Sequence, residues 1–409
     1  MKYLLLVGDG MGDYPSSELN GGTPLSAAQT PCIDDLCRKG SLFFNHTVPE
    51  GFPPGSDVAN MSLMGCSPAK YFTGRAPLEA AAMGISLQPQ EYAFRCNTVT
   101  LDFNGEEVIM RDFTADHISN EEARELIAGL EKNCSTEHFH FKPGVSYRNL
   151  VLFSGKHPGF ATTPPHDHIG KDVAEYWNAY RKNDEWRELL DSVKAYLADH
   201  PVNRKRIASG KNPANMIWLW GEGKKPGMPS LSERFNITGT MVSAVDLLKG
   251  LGILGGLSTP EIKGATGYID TNYAGKAAAA IEALKTQDFV FVHLEAPDEA
   301  GHEGSAKVKV QAIEDFDSKI VKPILADLRQ RGEEFRVVIT MDHFTPIALR
   351  THASDPVPTL LYDSREQNEG CGFTFSEAEC TRAKETTGTT DLVSSDELVE
   401  LLFERAPEA

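Results

Sequence analysis

The chain contains few cysteines, and their arrangement excludes two common classes of protein. The seven cysteines occupy positions 32, 37, 66, 96, 134, 371 and 380 of the 409 residues. Their odd number and scattered spacing argue against a disulfide framework, and the lack of a Cys-x-x-Cys pair argues against a zinc ribbon. Reduced thiols in a cytoplasmic protein are therefore expected.

Long apolar runs and positive charge are also scarce. Residues 3–7 form an apolar run too short for a secretion signal or a membrane span, and no other stretch approaches about 18 apolar residues. The formal net charge is -18, whereas nucleic acids and anionic membranes are bound through a basic face. We therefore expect a cytoplasmic protein with no nucleic-acid or membrane partner. The sequence does not indicate an oligomeric state.

The order of the predicted elements favours an α/β fold. A chain of 409 residues with 41% hydrophobic residues is expected to form two domains. Predicted strands at residues 2–8, 41–48, 215–221, 288–296 and 335–343 alternate with predicted helices. This alternation is typical of a mostly parallel sheet with helices on both faces.

A change in the sequence pattern near residue 92 indicates an inserted domain. From there the chain reads as strand, strand, helix and strand, with an Asn-Gly turn at residues 104–105 between the first two strands. We expect a small α/β domain over residues 92–175. It would be inserted into a larger domain formed by residues 1–91 and 176–409.

Six acidic and imidazole residues and one serine follow predicted strands at separate points of the chain. They are Asp9, Ser56, Asp298, His302, Asp342, His343 and His352. Because the carboxyl ends of parallel strands share one edge of a sheet, where ligands bind, these side chains are expected to converge. Three Asp, three His and a hydroxyl are suited to hold two divalent metals beside a nucleophile.

Each of these residues has a simpler interpretation when it is taken alone. Asp9 stands in GDGMGD, which is compatible with a plain turn. Ser56 opens a predicted helix, where serine is most often an N-cap, although a helix N-terminus also stabilises an alkoxide and an incoming phosphoryl group. Asp298 and His302 are about one helical turn apart, a spacing that also arises by chance. Only the complete set, in this order, indicates a metal centre.

Eight segments of the chain carry a family resemblance. They are LLLVGDGMGD, TPLSAAQTPCIDDL, PPGSDVANMSLMG, YFTGRAPLEAAAMGI, GATGYIDTNYAGKAAAA, APDEAGHEG, MDHFTP and THASDPVP. In this order, and nearly from end to end, the chain resembles the cofactor-independent phosphoglycerate mutases of the archaeal type, which belong to the alkaline phosphatase superfamily. The resemblance implies an alkaline-phosphatase-like, mostly parallel sheet flanked by helices, with a smaller inserted α/β domain that closes over the substrate.

The resemblance also implies an activity and a ligand set. The activity is the interconversion of 3-phosphoglycerate and 2-phosphoglycerate through a phosphoserine, without 2,3-bisphosphoglycerate. One divalent cation would be held by Asp298, His302 and His352. The other would be held by Asp9, Asp342, His343 and Ser56, with Ser56 also the nucleophile. A mixed Asp and His shell suits Mn²⁺, Zn²⁺ or Mg²⁺, and Mn²⁺ is our first choice.

A substrate that carries a carboxylate and a phosphate requires cationic side chains, for which Arg is well suited. The candidates for substrate binding are Arg75, Arg95, Arg111, Arg148, His166, Asp167, Lys171 and Lys224. A solvated or structural role is equally compatible with most of them. His166, Asp167 and His168 would also fit a third metal site, and Asp116 or Asp167 would fit a proton shuttle.

Other functions use the same serine chemistry. A phosphatase or a phosphopentomutase would differ in what the inserted domain holds. A homoserine kinase, proposed for some bacterial relatives, would need a phosphoryl donor, and the chain has no P-loop or kinase glycine-rich loop. A non-catalytic scaffold would predict the loss of a ligand residue, yet all the expected ligands are present.

Overall fold

The computed structural model describes residues 1–157, 159–366 and 370–404. The chain divides into two compact units. The first unit comprises Met1–Phe72 and Gly227–Ala409, and the second comprises Thr73–Pro226. Among the described residues, no helix has both the length and the apolar character needed to cross a bilayer.

The described residues form eleven strands. They are β1 (Lys2–Gly8), β2 (Ser41–Asn45), β3 (Glu91–Asn104), β4 (Glu107–Asp112), β5 (Phe139–Val145), β6 (Arg148–Ser154), β7 (Met216–Gly223), β8 (Gly239–Val242), β9 (Phe289–Leu294), β10 (Phe335–Thr340) and β11 (Val357–Asp363).

The described residues also form seventeen α-helices. They are α1 (Pro24–Ala27), α2 (Pro31–Lys39), α3 (Ser56–Leu63), α4 (Pro68–Tyr71), α5 (Ala76–Ala82), α6 (Asn120–Cys134), α7 (Ala174–Arg181), α8 (Asp184–Ala198), α9 (Pro201–Ala208), α10 (Leu231–Phe235), α11 (Asp246–Leu254), α12 (Tyr273–Ala283), α13 (Ala296–Glu303), α14 (Ala306–Asp315), α15 (Lys322–Arg331), α16 (Glu377–Thr387) and α17 (Ser395–Leu402). Short 3-10 helices lie at Ser17–Leu19 and Pro165–His168, and a π-helical segment, Phe316–Val321, joins α14 to α15.

The sheet of the first unit is mostly parallel, as predicted. Its six strands lie in the order β2-β11-β10-β1-β9-β8. Strand β1 pairs in parallel with both β9 and β10, and β8 pairs in parallel with β9. Strand β11 is antiparallel to β10 and to β2, so it is the one strand of the six that runs in the opposite direction. The carboxyl ends of β1, β9 and β10 therefore lie side by side.

Helices cover both faces of this sheet. Leu4 and Leu6 of β1 pack into one large core with residues of α2, α12 and α15. On β1 and β9, Tyr3 and Phe289 contact the ring of Phe403, which directly follows α17, at centroid distances of 5.2 and 5.3 Å. Because alternate residues of a strand point to opposite faces, helices on both sides bury most residues of the central strands.

The second unit has its own antiparallel sheet and core. Strand β3 is its organising element, because it pairs with β4, β6 and β7, while β5 pairs with β6. The core is rich in aromatic residues, and the buried ring of Trp186 lies 4.9–5.1 Å from the rings of Phe94, Phe139 and Phe153. The predicted hairpin of β3 and β4 is present, but its turn is formed by Gly105 and Glu106, one residue later than the predicted Asn-Gly turn at residues 104–105, because Asn104 still pairs with Glu107.

The second unit is larger than the segment 92–175 that the sequence analysis delimited. It extends to Pro226 because β7 pairs with β3 instead of joining the first sheet, and it starts at Thr73 because α5 packs against β3 and β6. The helices between residues 174 and 208 belong to the same unit, as Trp177, Trp186 and Val202 pack in its core. The sequence showed β7 as a strand but did not show its partner.

Candidate metal centre

Most of the predicted metal-ligand residues lie shortly after strands β1, β9 and β10 or at the start of helix α3. Asp9 directly follows β1, and Asp342 and His343 follow β10 after one further residue. Asp298 is the third residue of α13, which begins at Ala296, two residues after the end of β9. Ser56 is the first residue of α3, preceded by Gly55 at the N-cap. The parallel order of the strands brings these positions to one edge of the sheet.

Asp298, His343 and His352 form the first compact group, with ligand atoms within 4.8 Å of one another. Nε2 of His352 lies 3.4 Å from Oδ1 of Asp298, and the rings of His343 and His352 stack with their centroids 4.0 Å apart. His302 adjoins this group, because its Nε2 lies 3.3 Å from Oδ2 of Asp298 and 3.0 Å from Nε2 of His352.

Asp9, Asp342 and His343 form the second group, again within 4.8 Å. Nε2 of His343 lies 3.6 Å from Oδ1 of Asp9 and 3.5 Å from Oδ2 of Asp342. The hydroxyl of Ser56 lies 3.2 Å from the same nitrogen. The resemblance implied His343 in this second group alone, whereas the structure places it within reach of both groups.

The three histidines present the same nitrogen to the centre. Nδ1 of His302 faces the carbonyl of Arg350 at 3.0 Å, and Nδ1 of His352 faces the carbonyl of Pro54 at 3.2 Å. Nδ1 of His343 faces the hydroxyl of Thr345 at 3.3 Å, and that hydroxyl donates its own proton to Asp298. Each Nδ1 is placed to donate its proton to an oxygen, so the neutral form of each ring would offer the lone pair of Nε2 to a metal.

Buried carboxylates in close contact have perturbed pKa values. Burial, together with the neighbouring charges of Asp342 and Asp298, raises the pKa of Asp9 well above its usual range. For Asp298 burial acts in the same direction, but hydrogen bonds from His302 and His352 lower its pKa well below the usual range. The hydrogen bond to Asp298 raises the pKa of His302 to about 9, while burial lowers that of His343.

Supporting residues around the centre escaped the sequence analysis. The side-chain amide of buried Asn60 donates to the carbonyl of Ser56 and to Oδ2 of Asp342, both at 2.9 Å, and so ties α3 to the end of β10. Asn60 lies one helical turn after Ser56, which is the signal that could have revealed it. Thr345 bridges Asp298 and His343, but a threonine in a loop gives no comparable signal.

A buried charge network lies behind the second group. His293, the fifth residue of β9, places Nε2 3.5 Å from Oδ2 of Asp9 and 3.6 Å from Oδ2 of Asp342. Its Nδ1 lies 3.7 Å from Oε1 of Glu295, which also forms an ion pair with Lys276. Burial alone would lower the pKa of His293, but the carboxylates of Asp342 and Glu295 raise it to about 9.

Four of the predicted substrate residues form a cationic cluster in the second unit. The guanidinium of Arg95 stacks on the ring of Trp220 at 4.0 Å, and its Nε donates to Glu79 at 3.1 Å. Burial, with the charges of Arg75 and Arg148 nearby, lowers the pKa of Arg95. His166 contacts the Trp220 ring at 5.6 Å, and burial together with the charges of Arg95 and Arg75 lowers its pKa.

The other predicted substrate residues have local partners. Arg111 forms an ion pair with Asp102 at 2.6 Å, and the ammonium of Lys171 donates to the carbonyl of Asp167 at 2.8 Å. The carboxylate of Asp167 is 3.7 Å from Nε2 of His166, and Lys224 lies 4.8 Å over the ring of Tyr92. The structure thus groups Arg75, Arg95, Arg148 and His166 and holds Arg111 in a surface pair.

Comparisons with known proteins identify the family. The sequence model described as 2,3-bisphosphoglycerate-independent phosphoglycerate mutase matches residues 37–203. A protein of that name from Methanosarcina barkeri is 48% identical over 404 residues, which cover 98% of this chain and 99% of the relative. The chain belongs to this family. A protein from Geobacter sulfurreducens, named a probable member, is 47% identical over 94% of this chain and 96% of its own length.

Solved structures agree with the family assignment. A structure of a Pyrococcus horikoshii protein is 28% identical, covers 100% of this chain and 99% of its own, and has a TM-score of 0.81. The cofactor-independent phosphoglycerate mutase from Thermoplasma acidophilum is 27% identical, covers 99% of both chains and has a TM-score of 0.66. The α/β fold predicted from the sequence is thereby confirmed.

The residues of this phosphoglycerate mutase family member fit divalent cations. Among the described residues the buried Oδ1 of Asp9 has no hydrogen-bond partner, and the Nε2 atoms of His302, His343 and His352 lie 3.3–3.6 Å from carboxylate oxygens. Carboxylate oxygens and imidazole nitrogens this close together repel one another unless a proton or a cation lies between them. The two groups are therefore candidate metal sites, and the role of each residue as a ligand stays a prediction.

Proposed function

We propose that this protein interconverts 3-phosphoglycerate and 2-phosphoglycerate through a phosphoserine at Ser56, without 2,3-bisphosphoglycerate. The observation that carries the proposal is the position of the Ser56 hydroxyl, 3.2 Å from Nε2 of His343 in the acidic and imidazole centre. The relatives from Methanosarcina barkeri and Geobacter sulfurreducens that bear the mutase name support it. The reaction belongs to glycolysis and gluconeogenesis, and we place the enzyme in the cytoplasm.

Two divalent cations, with Mn²⁺ as our first choice, would be held by the residues of the centre. Asp298, His302 and His352 would bind one cation, and Asp9, Asp342, His343 and Ser56 would bind the other. When bound, the cations would supply positive charge that stabilises the phosphoryl oxygens during transfer.

Ser56 is suited to act as the nucleophile. It is the first residue of α3, where the helix dipole favours a negative charge. Its backbone carbonyl is held by Asn60, which also holds Asp342, so the serine is fixed relative to the centre. The Ser56 hydroxyl faces the lone pair of His343, which favours loss of the serine proton.

The proposed reaction balances within the enzyme and one substrate. The Ser56 oxygen forms a bond to phosphorus while the bond between phosphorus and the 3-oxygen of glycerate breaks, and the proton lost by the serine goes to that oxygen. Glycerate then reorients, and its 2-oxygen forms a bond to phosphorus while the bond between phosphorus and the Ser56 oxygen breaks. The proton of the 2-hydroxyl goes to the Ser56 oxygen, which restores the serine. Water has to be excluded in between, because it would hydrolyse the phosphoserine and make the enzyme a phosphatase.

We further propose that cationic residues of the second unit bind the anionic groups of the substrate. Arg75, Arg95 and Arg148 supply positive charge beside His166, and Arg95 is held in place by Trp220 and Glu79. A planar guanidinium fork binds a carboxylate or a phosphate through two hydrogen bonds. Arg111, Asp167, Lys171 and Lys224 are further candidates, and each has a local contact of its own.

A coupled mutase assay on metal-reconstituted protein tests the proposal. The assay supplies 3-phosphoglycerate, omits 2,3-bisphosphoglycerate, and compares the wild type with Ser56→Ala. Ser62→Ala is the matched control, since Ser62 lies on the same helix and its buried hydroxyl has no hydrogen-bond partner. We expect 2-phosphoglycerate from the wild type and the control, and none from Ser56→Ala.

Other outcomes would point to other functions. Release of free phosphate in place of 2-phosphoglycerate would identify a phosphatase. No reaction with Mn²⁺, Mg²⁺ or Zn²⁺ would refute the mutase activity and favour another phosphoryl acceptor, homoserine first. Full activity of Ser56→Ala would refute the serine mechanism and favour a role without catalysis at Ser56.

A further inference from the structure

His293 is a polar residue in a strand that is otherwise apolar. Strand β9 reads FVFVHL, and all six residues are buried, with His293 0% exposed. Placing an imidazole in a dry core costs free energy unless its nitrogen atoms find partners, and an apolar residue would fill the space at lower cost. The contacts of the ring therefore require an explanation.

The ring of His293 points at the two carboxylates of the second group. Nε2 is almost equidistant from Oδ2 of Asp9, at 3.5 Å, and from Oδ2 of Asp342, at 3.6 Å. These distances lie within ion-pair range and just beyond a normal hydrogen bond. Carboxylate oxygens offer only lone pairs, so a proton on Nε2 is the favourable arrangement.

The two oxygens of Asp9 face different histidines. Oδ1 lies 3.6 Å from Nε2 of His343, the nitrogen that also contacts Ser56. Oδ2 instead faces His293. His293 thus contacts Asp9 on the side away from Ser56 and His343, which is the position of a residue that supports a ligand.

A second layer holds His293 in turn. Nδ1 lies 3.7 Å from Oε1 of Glu295, and that oxygen accepts hydrogen bonds from the hydroxyl of Ser243 at 2.9 Å and the backbone N–H of Ala244 at 2.8 Å. Oε2 of Glu295 accepts from the ammonium of Lys276, which also donates to the carbonyl of His293 at 3.2 Å. Both Lys276 and Glu295 are buried.

We propose that His293 is a positioning residue for the proposed cation site: its Nε2–H holds Oδ2 of Asp9 and Oδ2 of Asp342, and Glu295 with Lys276 fixes the ring. The inference rests on the cation site of the proposed function but not on mutase activity. Residues that orient metal ligands in this way typically change metal affinity by about 10–100-fold when they are replaced.

Two substitutions test the N–H donor of His293 and the volume of its side chain separately. His293→Gln keeps an N–H donor near the position of Nε2, whereas His293→Leu fills the space without one. Mn²⁺ binding to the metal-free protein is measured by calorimetry, and the melting temperature of each metal-free variant is recorded. His140→Gln in the second unit is the matched control, because His140 is half-exposed and pairs with Glu131.

We expect Mn²⁺ affinity at one of the two sites to fall about 10–100-fold in His293→Leu and to stay near that of the wild type in His293→Gln. The melting temperatures of the metal-free variants should not rank in the same order as their Mn²⁺ affinities. Equal weakening in both folded variants, or no weakening in either, would overturn the proposal.

A measurement on the wild type makes the test independent of how the variants fold. In a crystal structure of the Mn²⁺-loaded protein, with the metal located by anomalous scattering, Nε2 of His293 should contact the carboxylates and not the ion. Direct coordination of the ion by Nε2, or a ring turned away from Asp9 and Asp342, would overturn the positioning role. A loss of mutase activity without a change in Mn²⁺ affinity or in the contacts of His293 would count against the proposed function and not against the positioning role.

Discussion

Thr345 donates a hydrogen bond from its hydroxyl to Oδ1 of Asp298, although the two residues are 47 positions apart in the sequence. The same hydroxyl oxygen faces Nδ1 of His343 at 3.3 Å. Because a hydroxyl has one proton and gives it to Asp298, its oxygen is left to accept from His343. The side chain of Thr345 therefore fixes the carboxylate of Asp298 in the first group and also the ring of His343, which belongs to both groups.

Replacing this hydroxyl should weaken metal binding. We expect Thr345→Val to lower Mn²⁺ affinity about 10–100-fold, because Asp298 loses a donor and His343 loses its acceptor. Calorimetry on the metal-free protein measures the change. Thr345→Ser retains the hydroxyl and should bind Mn²⁺ nearly as the wild type does. Wild-type affinity in Thr345→Val would show that the site does not need the hydroxyl, and a loss in Thr345→Ser as large as that in Thr345→Val would show that the hydroxyl alone does not account for the effect.

Metal removal should act on one unit only. All the predicted ligands lie in the first unit, so a chelator should lower its unfolding temperature and abolish turnover, while the second unit melts as before. A free cation at 100 times its Kd stabilises the native state by about 2.7 kcal/mol, which corresponds to a shift of roughly 5 °C or more for a unit of this size. Differential scanning calorimetry with and without Mn²⁺ checks the prediction. An unchanged thermogram, or persistent turnover with the chelator, would contradict it.

Arg95 should contribute to substrate binding through its planar guanidinium. Arg95→Lys keeps the charge but loses the stacking on Trp220 and the forked geometry. A hydrogen bond to a charged group contributes about 1.5–3 kcal/mol, so we expect KM for 3-phosphoglycerate to rise roughly 10–100-fold. The exposed Arg187, which pairs with Asp184, provides the control Arg187→Lys. Unchanged KM in Arg95→Lys would remove Arg95 from the substrate site.

Asp112 should stabilise the second unit in a pH-dependent way. Burial would raise its pKa, but hydrogen bonds from Thr114, Asn212 and the backbone of Asp116 lower it below the usual value of 3.8. A carboxyl whose pKa is lower in the folded state stabilises the protein above the unfolded pKa, and this stabilisation is lost as the pH falls through the folded pKa.

The variant Asp112→Asn tests this dependence. We expect it to cost about 1–3 kcal/mol at pH 7 and to differ less and less from the wild type below about pH 4. Chemical denaturation at several pH values measures the difference. Asp102→Asn, at the exposed pair with Arg111, should cost no more than about 1 kcal/mol. A difference between Asp112→Asn and the wild type that grows in acid would have the wrong sign.

The sequence predicted the part of the metal centre in which acidic and imidazole residues directly follow predicted strands. Asp9 and Asp342 follow runs of buried strand residues, and such runs are visible without a structure. His293 was not singled out, because it stands inside such a run and reads as part of the core. Whether a buried imidazole faces a carboxylate depends on which strands are neighbours, and here β9 and β10 meet only through β1.

The limits of the second unit were harder to predict for a related reason. Local pattern identified β7 as a strand, but its pairing with β3 joins residues more than 100 positions apart. The stack of Arg95 on Trp220 depends on that pairing, since the two residues lie opposite each other in the register. Patterns within a window of ten residues do not contain this information.

The order of strands in the first sheet also determines when β1 can pair with its neighbours during synthesis. Strand β1 occupies the middle of that sheet, yet its partners β9 and β10 begin at residues 289 and 335. During synthesis at about 5–20 residues per second, β1 leaves the ribosome on the order of tens of seconds before its second partner exists. The second unit, Thr73–Pro226, is one continuous stretch and is complete long before then. An apolar strand that is made first and paired last must be kept from aggregating in the meantime, so the nascent chain is a natural client for chaperones.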